Sequence, residues 1–246
     1  MALSLGAGWA VEDAEGLAAT LLVWRHGPRH ASMGMVLVAH RVQRRGIGRV
    51  LGDLALLELP GRSILLNATA QGEGLYRQLA FRRHATIVQH QGGDARLAAL
   101  APAKGERLRP LGRSDAARIR ALASRASGYP RDVVIDRLLE VSEGVALDRG
   151  GTMLGFALVR RFGRGHVIGP VVAPDAKRAK VLIAHWIAHR PRAFLRIDVP
   201  VAARLGPWLE SAGLLEADRV ASMVRGVLPR PRGGARLFAL ASQALG

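Results

Sequence analysis

At 246 residues, 49% of them hydrophobic, the chain is long enough for one large domain or two ordinary ones, and no uninterrupted apolar run approaches the roughly 18 residues that span a bilayer. The absence of cysteine excludes disulfides, thiolate metal ligands and a covalent cysteine nucleophile, and it fits a reducing compartment. A formal charge of +17 invites a nucleic-acid reading, but nearly all of it is arginine spread along the chain, and 4% aromatics provide no stacking platform, which argues against that partner.

The first residues, "MALSLGAGWAVED", have no basic start and meet Glu12 and Asp13 before a signal core could form, so the expected location is the cytoplasm. From Gly8 to Arg25 the pattern is strand, acidic turn, strand, which reads as a hairpin. A Gly-containing loop with His26 and His30 follows, then a strand ending in "MVLVA". Next comes "QRRGIG", Gln43 to Gly48, ahead of a helical run in which Val50, Leu51, Leu54 and Leu57 are spaced along one face.

Between a strand and a helix, Gly46 and Gly48 let backbone amides approach a ligand, and a helix N-terminus favours an anion. Arg44, Arg45 and Arg49 add positive charge. The same residues would serve equally as a basic turn, and the order strand, loop, helix favours the phosphate use. A dinucleotide fingerprint would need a third glycine where Leu51 stands and an acidic residue about 20 positions on, and a P-loop would need Gly-Lys-Ser/Thr; both are missing. The next strand, "SILLNA", ends at Asn67 and Ala68, and "LYRQLAF" runs from Leu75 to Phe81.

The same order returns after "APAKGER", Ala101 to Arg107, with the hairpin at Gly144 to Arg161, a strand "PVVA", a helix, a strand "FLRIDV" and the phrase "WLESAGL". The predicted layout is a module over 1–100, a second over 107–226 and a tail over 227–246 whose apolar end docks on the body. The second copy opens with a strand and helices, started by Ser114 and Asp115, that have no counterpart before Met1, so the first copy is expected to lack its opening segment. In the second copy Ala176 and Ala179 replace the loop glycines, Asp175 adds negative charge and Leu209 stands where Tyr76 does. His185 and His189, four apart on a helix, lack the glutamate and third ligand of a zinc site and read as structural, and no metal is expected.

Taken together, "MVLV", "QRRGIG", "LLNA" and "LYRQLAF" resemble the GNAT superfamily of acyl-CoA-dependent N-acyltransferases over about residues 8–90. The second module resembles the degenerate C-terminal GNAT-like domain of two-module members. The resemblance implies an α/β fold of two tandem modules, each a mixed, mostly antiparallel sheet flanked by helices. It implies acetyl-CoA as co-substrate and transfer of its acetyl group to a primary amine, on a small molecule or a protein, by direct attack. Leu37 and Val38 would line the pantetheine arm. The amides of Arg45, Gly46, Ile47, Gly48 and Arg49, with Arg44 beside them, would hold the pyrophosphate, Asn67 would contact cofactor or water, and Tyr76 would protonate the leaving thiolate. His26 and His30 are the nearby imidazoles that could accept the amine proton. Ala80 departs from the family phrase, where glycine is usual. Two further readings are a CoA-binding regulatory protein without turnover and an Arg-rich nucleic-acid-binding protein; a homodimer is compatible with all of them.

Overall fold

The computed structural model describes residues 5–245, and the chain divides into two compact units, each assembled from separate stretches. Unit 1 takes residues up to 85, then 220–228 and the stretch from 243; unit 2 takes 86–219 and 229–242.

Unit 1 begins with the predicted hairpin, β1 (Ala7–Asp13) and β2 (Gly16–His26), followed by β3 (His30–Val38) antiparallel to β2. Helix α1 (Ile47–Leu57) leads to β4 (Ser63–Ala68), parallel to β3, and helix α2 (Glu73–Gln78) leads to β5 (Arg82–Gly92). Ala19, Leu21 and Val23 of β2, Ala31 and Met33 of β3 and Ile64, Leu66 and Ala68 of β4 alternate onto one face and pack with α1 and α2. The helical period is as expected but the buried stripe is rotated. Leu51, Ala55 and Leu59 face the sheet with Leu51 2% exposed, whereas Val50, Leu54 and Leu57 face solvent with Leu57 77% exposed. The physical reason is Gly52, where a Cβ would lie 2.5 Å from Leu79: the helix sits down on its small-residue side, not its bulkiest one.

Unit 2 holds β6 (Glu106–Pro110), α3 (Ala116–Ser127), α4 (Asp132–Val141), β7 (Glu143–Arg149), β8 (Thr152–Phe162), β9 (Gly165–Ala173), α5 (Ala176–Ala188), β10 (Leu195–Pro200) and α6 (Gly206–Ser211), with β12 (Arg236–Ala239) paired to β9. Strand β11 (Leu215–Arg225) comes between α6 and β12. The order from β7 to β11 repeats that from β1 to β5, down to its irregularities. The bulge between Val11 and Glu12 recurs between Leu147 and Asp148, 136 positions on. The turn after α2, where Phe81 N–H bonds Tyr76 C=O at 2.9 Å, recurs after α6, where Leu214 N–H bonds Leu209 C=O at 2.9 Å. Among the described residues, unit 1 has no counterpart of β6, α3 and α4.

The unit boundaries differ from the expected cuts at 100, 107 and 226 because the closing strands are exchanged. The strand that follows β4 in unit 1 is Ala221–Arg225 of β11, antiparallel to β4. The strand beside β10 in unit 2 is residues 87–92 of β5, antiparallel to it. The expected tail is likewise split: β12 belongs to unit 2, and residues from 243 belong to unit 1.

Candidate active site

In unit 1, β3 and β4 are paired only where His30–Ser32 meet Ser63–Leu65. Beyond that point the strands separate. Met35 adopts a left-handed conformation with φ 52°, and the β2–β3 register slips between Thr20 and Leu22, so a bulge turns the end of β3 away from its neighbour. Up to Met33 the strand is buried; Leu37 is 59% exposed and Val38 half-buried.

The N–H of Ala39 is taken by Ala18 C=O across the β2 side at 2.8 Å, so the N–H and C=O of Val38 point the opposite way, into the opening. The Val38 carbonyl receives Gln43 Nε2 at 3.0 Å, which leaves its N–H as the strand's last donor there.

At the foot of this opening lies the loop before α1. Gly46 caps the helix at φ 79° and ψ −2°, with no side-chain cap and no acidic residue in the first turn. Ile47 and Gly48, the first helical residues, have no intrahelical acceptor for their N–H groups. Arg44 is left-handed at φ 63°, a strained conformation for a side-chain-bearing residue. Among the described residues, neither Arg44 nor Arg45 has an ion-pair partner, whereas Arg41 is held by Asp13 at 2.8 Å.

Arg49 does not fit its expected role. Its N–H is donated to Gly46 C=O at 2.9 Å by the first helical turn, so the amide is engaged elsewhere, and its guanidinium donates Nε to the Asp53 carboxylate at 2.9 Å. A Cβ added to Gly48 would meet Leu75 of α2 at 3.3 Å and Val38 at 3.8 Å, so loop, α2 and the β3 end converge at this glycine.

Tyr76, on α2, is 8% exposed and lies edge-on to Phe81 at 5.9 Å. Burial pushes its hydroxyl up to about 12, so it keeps its proton throughout the neutral range. Asn67, at the end of β4, donates Nδ2 to Gln243 C=O at 2.7 Å, while its Oδ1 is buried without a partner. Sequence reasoning did not find Gln243, because residues 227–246 matched neither copy.

His26 and His30 fall out as bases for this site. His26 ends β2 and pairs with His30 at the start of β3, and from His30 to Val38 the strand runs about 26 Å at about 3.3 Å per residue. His26 Nε2 is bonded to Ser32 Oγ at 2.9 Å, and burial lowers His30.

The equivalent place in unit 2 is closed. β9 and β10 pair only at His166–Val167 with Leu195–Arg196 before separating, as β3 and β4 do. Here the gap is filled: β12 adds to β9 from Val171 to Ala173, and Leu240 N–H reaches Asp198 C=O at 2.9 Å. β9 is buried almost throughout. Asp175 caps α5 by accepting Arg178 N–H at 2.9 Å, so a carboxylate of the chain occupies the helix N-terminus. Leu209, at the place of Tyr76, is fully buried. His185 and His189 stack with ring centroids 4.1 Å apart, and among the described residues no group of three metal-ligating side chains forms.

The acetyltransferase (GNAT) domain family matches residues 119–239, the greater part of unit 2. Unit 2 thus carries a GNAT acetyltransferase domain, and the chain has the fold of tandem GNAT modules. The family match falls on the module whose loop glycines are replaced.

Among solved structures, this chain is similar to a putative acetyltransferase of Pyrococcus horikoshii (TM-score 0.75, 19% identity, 95% of this chain and 78% of that one). It is also similar to a GCN5-related N-acetyltransferase of Sphaerobacter thermophilus (0.63, 17%, 92% and 82%). A third is a tandem GNAT protein from the clavulanic acid biosynthesis pathway (0.59, 14%, 90% and 83%). At these identities the likeness is one of fold. No curated protein sequence matches the chain. Among the described residues no helix is long and apolar enough to cross a membrane.

Proposed function

We propose that unit 1 is the catalytic module of an N-acetyltransferase that moves an acetyl group from acetyl-CoA to a primary amine. The observation that carries this reading is the contrast between the two openings. In unit 1 the diverging strands leave Leu37 and Val38 accessible above an uncapped helix N-terminus, and in unit 2 the same gap is filled by β12 and the same helix end is capped by Asp175.

The residues present fit acetyl-CoA. The N–H groups of Gly46, Ile47 and Gly48, with the unpaired Arg44 and Arg45, suit the diphosphate. The exposed end of β3 suits the amide-bearing arm of the cofactor. When bound, acetyl-CoA supplies a thioester carbonyl open to attack. The amine nitrogen bonds to that carbon, the carbon–sulfur bond breaks, the amine loses a proton and the sulfur gains one. In this reading Val38 N–H stabilises the charge that develops on the carbonyl oxygen. Tyr76 holds a proton that it donates in a hydrogen bond to the departing sulfur. With His26 and His30 remote, the amine proton leaves through water.

Acetyl-CoA is expected to raise the melting temperature and, by calorimetry, to bind with one equivalent per chain. Gly46→Val, at a left-handed position where a β-branched residue is strained, and Arg44→Glu with Arg45→Glu should abolish the shift. An intact protein that shows no shift overturns the reading. Binding without thiol release across a panel of amines reduces it to a CoA-binding protein.

A further inference from the structure

The stretch after β12 returns to unit 1 and lies on the sheet face opposite α1. Ile64, Leu66 and Ala68 of β4 face α1, so Asn67 projects to the other side. There its Nδ2 holds Gln243 C=O at 2.7 Å. On neighbouring β3, Gly34 is needed for the same seat: a Cβ would lie 3.2 Å from Ala244 C=O, 3.4 Å from Ala244 Cα and 3.2 Å from the Trp24 ring. Leu245 is fully buried behind them. Residues 243–245 therefore sit directly on the two strands that diverge.

The polar accounting at this seat is incomplete in a complementary way. Asn67 Oδ1 is a buried acceptor without a donor, and Gln243 Nε2 is a buried donor without an acceptor. Leaving such groups unmade costs about 1–3 kcal/mol each, so a molecule offering one N–H and one oxygen in the opening would be held by both.

With the diphosphate at the α1 end, the acyl carbon is reachable from the side that α1 does not cover. That is the side of Asn67 and Gln243. We propose that residues 243–245 form the acceptor wall of unit 1, and that Gln243 positions an amine bearing an oxygen on a nearby carbon, as in amino acid amides and amino alcohols. This rests on the acetyltransferase reading above. In this arrangement Asn67 Oδ1 accepts an N–H of the attacking nitrogen and Gln243 Nε2 donates to the neighbouring oxygen. No proton is transferred to either side chain.

The test uses the full chain with acetyl-CoA and two probe pairs, glycinamide or ethanolamine against propylamine, followed by thiol release. Wild-type protein should favour the oxygen-bearing amines in kcat/KM. Gln243→Leu, which keeps the volume and removes the donor, should lower the ratio of glycinamide to propylamine by about tenfold, with acetyl-CoA affinity and melting temperature unchanged. Gln243→Glu, which retains hydrogen bonding without a donor, should behave likewise. Comparing ratios cancels the different basicities of the amines.

The proposal is overturned if wild type shows no preference, if either variant keeps it, or if acetyl-CoA binds and none of the three amines reacts. Loss of acetyl-CoA binding in wild type would instead defeat the reading on which the proposal rests.

Discussion

Ala80 sits at φ 63° in the turn after α2, and Gly213 sits at φ 88° in the matching turn after α6. The two turns share a hydrogen-bond pattern, so the left-handed residue is demanded by the turn and not by its occupant. An L-residue there costs about 1–2 kcal/mol, partly offset because glycine loses more entropy on folding. Ala80→Gly should accordingly stabilise unit 1 by about 0.5–1 kcal/mol, read as a higher denaturation midpoint. Tyr76 makes a pH prediction. Its folded hydroxyl is near 12 and its unfolded one near 10.0, so below pH 10 both states keep the proton and the stability is fully present. Between pH 10 and 12 the unfolded state releases a proton that the folded state retains, and roughly 2–3 kcal/mol is lost. The difference between wild type and Tyr76→Phe in unfolding free energy should therefore change across that window and stay flat below it. At this scale much of the candidate site could be proposed from the sequence. Gly46, Gly48, Tyr76 and Val38 could be named from residue type and order, and the positive φ at Ala80 from a departure in one phrase. Arg49 could not, because whether an amide is free depends on a hydrogen bond within the first helical turn. Gln243 could not, because its place depends on a return of the chain over more than 170 positions.

Helices and strands were legible by existence and order, less so by orientation. The run after the glycine loop has the helical period, but two overlapping stripes fit it, and counting bulky apolar residues favours Val50, Leu51, Leu54 and Leu57, of which Leu51 alone is buried. The helix instead buries Leu51, Gly52 and Ala55, with Gly52 letting it approach Leu79 at the end of α2. Leu51→Ala should cost about 2–5 kcal/mol, and Leu57→Ala within about 0.5 kcal/mol of zero; equal effects in chemical denaturation would contradict the orientation. The separation of β3 from β4 has the same local origin as that of β9 from β10, a left-handed residue near a register slip: Met35 in one and Gly169 at φ 155° in the other. Only β12 distinguishes an open gap from a filled one. Nothing in residues 236–239 read alone announces that partner, since a four-residue strand carries too short an alternation to be assigned.

At the scale of the whole chain, the repeat was visible and the exchange of closing strands was not. Each copy contains a full set of strand patterns, and sequence alone gives no reason for β5 to pair with β10 or for β11 to pair with β4. A fragment ending at residue 100 would leave the β4 edge bare, and one starting at 107 would leave β10 without residues 87–92. Both fragments, made separately, should aggregate or fail to give a cooperative melt, whereas mixing them from denaturant should recover structure; a fragment 1–100 that melts cooperatively alone would refute the exchange. The same feature sets a schedule for synthesis. The edge of β4 leaves the ribosome about 150 residues before its partner in β11, which at 5–20 residues per second is roughly 8–30 s of exposed strand. For that interval the unpaired edge is open to pairing with other chains, and a slow stretch of codons between the two strands would lengthen its exposure without changing a single amino acid.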